Sequence, residues 1–251
     1  YQKLITAKLN ADFLSSGSYS TFPPGHTTQS IDTERSKNCT MYIPAKYLEE
    51  NWEYQKEVIT NHPLATVITF SQDGLIANHI PFVLAIDRET GKKYLHAHVA
   101  KKNHQIPALV SSEEVLVVFK SADSYITPTY YPTKQETHKV VPTWDFAAVH
   151  CYGKATIIDR KEWVRAQLDE LTSQQEKERD VKWTVDEAPE SHVNTLQKAI
   201  CGLMIEITRI ESKFKFEQKM PEQDVDGTIE GLAIDGKHEV SAFVKKCNHA
   251  S

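Results

Sequence analysis

The chain has 251 residues, enough for one large domain or two small ones with a sizeable core. Hydrophobic content of 40%, charged content of 25% and a net charge of −5 are those of an ordinary water-soluble chain, without the basic balance of a dedicated DNA-binding surface. The four cysteines have no CxxC spacing, which excludes a zinc ribbon and a disulfide scaffold and fits a reducing, cytoplasmic compartment; no apolar run reaches the roughly 18 residues of a membrane span.

Residues 1–40 read as a flexible extension, because 15–40 are rich in Ser, Thr, Gly and Pro and poor in apolar side chains. The folded part is expected over 41–251. Leu48, Trp52, Gln55, Val58 and Ile59 share a helical face, predicting a helix over 46–60 that Pro63 ends. Residues 65–71 read as a strand, 72–74 as a hairpin turn and 75–85 as the return strand, with Pro81 marking an edge or a bulge. A turn at 87–92 leads to a strand over 94–99, a short helix over 103–111 and a strand over 114–121.

From Tyr125 to Tyr152 two aromatic, strand-like runs flank the polar connector 133–139. Buried Tyr and Trp need partners for their polar tips. The segment therefore reads either as a strand pair walling a pocket for a flat molecule or as a hairpin whose aromatics are core. A strand over 147–158 contains Gly153, the mark of a bulge or close approach. Helices are expected over 160–177 and 191–199, a strand over 203–210 extended through 213–216, and helices over 225–233 and 239–244. Short antiparallel strands with helices between and after them indicate an α+β chain built on a β-barrel. There is no βαβ rhythm and no GxGxxG.

Three constellations carry chemistry. His96 and His98 alternate onto one strand face, as a metal pair or as hydrogen-bonded barrel histidines; spacing supplies no third ligand, so no metal site is assigned. The run 98–104 leaves a strand and opens a helix with Lys101, Lys102 and Asn103, either a phosphate cradle or a solvated basic turn. Trp144 stacks on an aromatic cofactor or closes the barrel end. Cys151, at an alternating strand position, reads as a buried inert thiol.

The motifs MYIP (41–44), NHIPF (78–82), HAHVAKKN (96–103), KQETHKVVPTWDFAAVHCYG (134–153) and GLMIEITRIESKFKF (202–216) occur in the order of the PaiB-type FMN-binding negative transcriptional regulators, which the chain resembles over 41–232. The resemblance implies a split β-barrel of the flavin-reductase and pyridoxamine-phosphate-oxidase type, a homodimer, and FMN at the subunit interface. It places Met41 at the family's usual start and gives 1–40 no counterpart. Carried over by motif, the FMN-side residues are His79, His98, Lys101, Asn103, Lys134, Gln135, Val141, Thr143 and Trp144, with Lys101 on the phosphate and Trp144 near the isoalloxazine; Thr66 and Thr69 are further strand positions. Two departures stand out: Lys215-Phe-Glu-Gln-Lys219 replaces a Lys-x-Ser-Gln-Asn-like stretch, and His104 replaces a Pro. The implied activity is a flavin-dependent oxidoreductase using NAD(P)H or a small molecule, with a non-catalytic sensor acting through a partner, or a haem-binding relative, as alternatives. No catalytic acid or base is named; His98 and His150 are the first to test. No helix-turn-helix is visible, so direct nucleic-acid binding is not expected.

Overall fold

The computed structural model describes residues 41–72 and 74–249, so the expected extension at 1–40 and Asp73 of the expected turn lie outside the described residues. Asn51 caps the first long helix by accepting from the Glu53 amide at 2.9 Å. The helix, α1 (Trp52–Asn61), is therefore shorter than expected, and Ala45–Tyr47 forms a separate 3-10 turn. Its buried face is Gln55, Val58 and Ile59, as the periodicity predicts.

The strands β1 (Leu64–Ser71), β2 (Gly74–Pro81), β3 (Val83–Ile86), β4 (Lys93–Ala100), β5 (Val115–Lys120), β7 (Thr143–Ile158) and β8 (Ile200–Lys215) form one antiparallel sheet in the order β2-β1-β5-β7-β8-β4-β3. The two ends of that order are one piece of chain: β2 pairs with β1, β3 pairs with β4, and only Phe82 separates β2 from β3. The expected single return strand thus changes partner at Pro81-Phe82, where Pro81 has no N–H to continue the ladder. The sheet closes on itself through this split strand, giving a split β-barrel.

Alternation fills the barrel. Val67, Phe82, Leu95, Ala97, Val117, Phe119, Val149, Cys151, Leu203 and Ile205 are all fully buried, and Phe82 meets Phe119 edge-on at 6.2 Å. Burial pushes the Cys151 thiol up to about 12, consistent with an inert core residue. The register of β7 on β8 slips between Tyr152 and Gly153; a Cβ on Gly153 would stand 2.1 Å from the Glu206 carbonyl oxygen, so only glycine lets the bulge close.

Helices cover the outside. α2 (Ile106–Ser111) follows β4, and α4 (Lys161–Glu176) and α5 (Glu190–Gln197) lie between β7 and β8. α6 (Glu222–Ile234) and α7 (His238–His249) end the chain. The aromatic stretch resolves into a short strand, β6 (Ser124–Ile126), paired with Thr143–Asp145 of β7, and its polar connector contains the helical turn α3 (Thr133–Thr137). The aromatics divide between core and surface. Tyr131 is core at 3% exposure, whereas Tyr125 and Trp144 are half exposed.

Candidate functional site

The expected site residues fall into three places. The first is the β4–α2 turn. His98 Nδ1 lies 2.7 Å from Oε1 of Gln167 on α4. An amide oxygen only accepts, so Nδ1 is the donor in this contact. His96 faces the same helix, 3.5 Å from Glu170 and edge-on to Trp163 at 5.2 Å. The two histidines therefore sit beneath a helix as hydrogen-bonded barrel residues. Among the described residues no three His, Cys, Asp or Glu side chains gather as a metal site.

Lys101 is exposed and pairs with Asp159 at 2.7 Å. The expected cradle of free amides is not formed by this turn. The Lys101 amide donates to Ala199 O, that of Asn103 to Ala100 O and that of Ile106 to Asn103 O. Asn103 Oδ1 accepts from the Gln105 amide at 2.9 Å. The ammonium groups of Lys101 and Lys102 are the cations of this turn. Gln105, which the sequence reading passed over, is fully buried and ties the barrel end together: its Nε2 donates to Val67 O and Thr69 Oγ1, and its Oε1 accepts from Asn78.

The second place is the outer face of the sheet. His79 is exposed on β2. Register aligns it with Thr66, Val118, His150 and Glu211 in one row across five strands. The buried His150 Nδ1 has no partner, and burial holds this imidazole below its usual range. Beside it the Arg209 guanidinium lies 3.5 Å from the Tyr152 ring centre.

The third place is the far end of β7. Trp144 donates from Nε1 to Asp123 at 2.5 Å and meets Tyr125 edge-on at 6.1 Å. Lys215 Nζ donates to Thr143 Oγ1 and, at 2.8 Å, to Trp144 O. Gln135 and Val141 are exposed and Lys134 is half-buried on α3. Beneath them lies an acidic cluster that sequence reasoning missed. Asp145 is fully buried and Glu217 is 5% exposed. Tyr131 donates its hydroxyl to Glu217 at 2.9 Å, and Lys215 Nζ stands 3.5 Å from Asp145. Burial, then the Glu217 charge, push the Asp145 carboxyl up to about 8 against the pull of Lys215. The signal was present in the sequence: strand alternation gives Asp145 the inward phase of Ala147, Val149 and Cys151.

The first and third places lie toward opposite ends of β7. Ile158 at one end of β7 aligns with Gly202 and His98, while Thr143 is the other end. Fifteen strand steps, about 50 Å of contour at 3.3 Å each, separate them.

Residues 41–209 match the family model described as "Putative FMN-binding domain". An uncharacterized protein of Emericella nidulans is 35% identical over 226 residues, covering 76% of this chain and 90% of its own. The chain belongs to this FMN-binding family. A Bacillus subtilis relative, "Protease synthase and sporulation protein PAI 2", is 30% identical over 192 residues, covering 76% of this chain and 89% of its own. The solved FAD and heme binding protein from Mycobacterium smegmatis is 17% identical with a TM-score of 0.49, covering 72% of this chain and 79% of that one. Within the FMN-binding family's span lie all nine expected site residues, Asp145 and the α4–α5 segment; Glu217 and the two C-terminal helices lie beyond it.

Proposed function

We propose that this protein is a homodimeric flavoprotein that binds FMN between subunits and uses it for redox chemistry with NAD(P)H or a small molecule. Membership of the FMN-binding family carries the reading. The side chains fit the group. Lys101 supplies a cation for a phosphate, and the half-exposed Trp144 ring offers a flat apolar face. The bound flavin would supply the electron transfer, and the chain would bind and orient it.

Two observations support the dimer. The residues of the β4–α2 turn and those around Trp144 align with opposite ends of the sixteen-residue β7, which favours a site to which two copies each contribute one set. The hairpin of β1 and β2 also exposes Phe70 at 71% beside its cross-strand partner Leu75 at 76%. An exposed apolar cluster of this kind suits a subunit contact. The described thiols Cys151, Cys201 and Cys247 are free, which suits a cytoplasmic setting.

The Bacillus relative's name, with its reference to protease synthesis and sporulation, favours a second reading: a flavin sensor that acts through a partner without turnover. One experiment addresses both. Visible absorption is recorded while FMN is titrated into the protein, and again after anaerobic NAD(P)H. Bleaching of bound flavin supports the redox protein, flavin that binds and stays oxidised supports the sensor, and no binding overturns both.

A further inference from the structure

Glu217 stands where the resembled motif has Ser, and it turns inward. Its φ is 62°, in the left-handed region, and its carboxyl lies in the barrel end within reach of Asp145. Asp145 is fully buried, yet neither of its carboxyl oxygens has a hydrogen-bond donor. Lys215 Nζ stands off at 3.5 Å and donates instead to Thr143 Oγ1 and, at 2.8 Å, to Trp144 O. As two carboxylates, the pair buries two negative charges against one cation that is engaged elsewhere. With a proton on Asp145, its O–H has Glu217 as acceptor, and one negative charge faces one positive charge.

Every element packed around the pair contributes a group. Tyr131, just before α3, donates its hydroxyl to Glu217 at 2.9 Å; burial, then the Glu217 charge, push its own ionisation far above the usual range. Asp224 of α6 accepts from the Thr133 amide and hydroxyl. Burial pushes the Cys247 thiol of α7 up to about 12. The Tyr47 ring lies 5.7 Å from the Lys215 ammonium group. Asp123, which receives the Trp144 Nε1–H, is held below its usual range first by the hydrogen bond from Lys120. Burial, then the Glu217 charge, bring Asp145 up to about 8, so its proton leaves just above neutral pH.

We propose that Asp145 and Glu217 form a proton-dependent latch on Lys215: while the pair keeps its proton, Lys215 holds Thr143 and Trp144, and when the proton leaves, Lys215 swings to Asp145 and releases them. The step balances. One proton passes from the Asp145 carboxyl to solvent, and the ammonium group exchanges the Thr143 hydroxyl and Trp144 carbonyl for the new carboxylate. The movement is small, since 3.5 Å exceeds a charge-assisted N–H···O contact by only about 0.7 Å. Lys215 is thus a positioning residue for Trp144. Thr143 and Trp144 are on the FMN side in the resemblance, so the latch makes flavin binding pH-dependent. That consequence rests on the flavin reading; the latch itself does not.

The test follows Trp144 emission in the whole chain, as the wild-type spectrum less that of Trp144→Phe, between about pH 5 and pH 9. The expected result is one reversible step centred near pH 8 in the wild type, none in Asp145→Asn, and a midpoint lower by about one unit or more in Glu217→Gln. Thr143→Val removes the hydroxyl that competes for Lys215 and leaves the pair intact, so its midpoint should fall by about half a unit or more. Thermal unfolding checks that each variant is folded. A flat wild-type profile, a step that survives in Asp145→Asn, or a Thr143→Val midpoint equal to that of the wild type overturns the proposal. Riboflavin, which has no phosphate to titrate, is then titrated at about pH 7 and pH 9 and followed by flavin absorption. Affinity about tenfold weaker at the higher pH in the wild type, and equal at both in Asp145→Asn, ties the latch to the flavin site. Equal wild-type affinity at both, with the emission step present, overturns that tie. No riboflavin binding at either pH, with the step present, counts against the flavin reading alone.

Discussion

Asp145 is the residue whose chemistry is furthest from its default. Its carboxyl is sealed in the barrel end beside Glu217, with Lys215 the nearby cation. A carboxyl held at about 8 keeps its proton in the folded protein over a range where the unfolded chain has released it. The folded state then binds more protons than the unfolded state from about pH 4 to pH 8. Stability contributed by this site is therefore full below that window, falls as pH rises through it, and is level above it. Asp145→Asn keeps a neutral group of the same shape at every pH. Its stability relative to the wild type should rise between pH 5 and pH 9, by on the order of 4 kcal/mol at about 1.4 kcal/mol for each pH unit up to pH 8. Urea unfolding of both proteins at the two pH values measures this, and a constant difference would show that Asp145 is ionised throughout. Glu217 is the residue that replaces the Ser of the resembled motif. The sequence showed the replacement but not its consequence, because nothing along the chain places residue 217 against residue 145.

At the scale of elements, the seat of α4 is set by a missing side chain. A Cβ on Gly202 would stand 2.2 Å from the Trp163 ring, so the helix lies flat on β8 only because position 202 is bare. Trp163 also packs edge-to-face with His96, and Gln167, four residues further along α4, receives His98. Gly202→Ala should destabilise the fold by about 1–3 kcal/mol, since a rigid ring has to move. Adding Trp163→Leu should recover part of that loss, because a smaller side chain makes room for the new methyl. Thermal midpoints of the single and double variants test the pair; an unchanged midpoint for Gly202→Ala would mean that α4 does not rest on this strand.

Element type was readable for the long periodic segments, and β7 and β8 exceed their expected lengths because each is paired on both sides of the sheet. The partner change at Pro81-Phe82 was readable only as a break. That the break closes the barrel depends on which strands lie beside each half, and alternation within one segment does not carry that information.

For the whole molecule, the question is whether two copies share the flavin site. The exposed Phe70–Leu75 pair and the division of the site residues both support the proposed dimer, by separate routes. Phe70→Glu places a charge in the exposed cluster opposite Leu75, and sedimentation should show a shift from dimer to monomer; an unaltered dimer would move the contact elsewhere.

The sequence motifs supplied a set of site residues, yet in one chain that set divides between the His98 end and the Thr143 end of β7. Motif order along a chain does not record distance, so this division appears only once the strand register is known. It can be tested by complementation. Lys101→Ala and Trp144→Ala should each weaken FMN binding when studied alone. If every site takes Lys101 from one chain and Trp144 from the other, a mixed dimer contains one site with both lesions and one with none. Equal amounts refolded together should then restore wild-type affinity at about one site in four. If both residues act within one chain, every site in the mixture carries a single lesion and no tight sites return. FMN titration of the refolded mixture, followed by flavin absorption, distinguishes these stoichiometries even where each variant binds weakly, because the restored fraction saturates first.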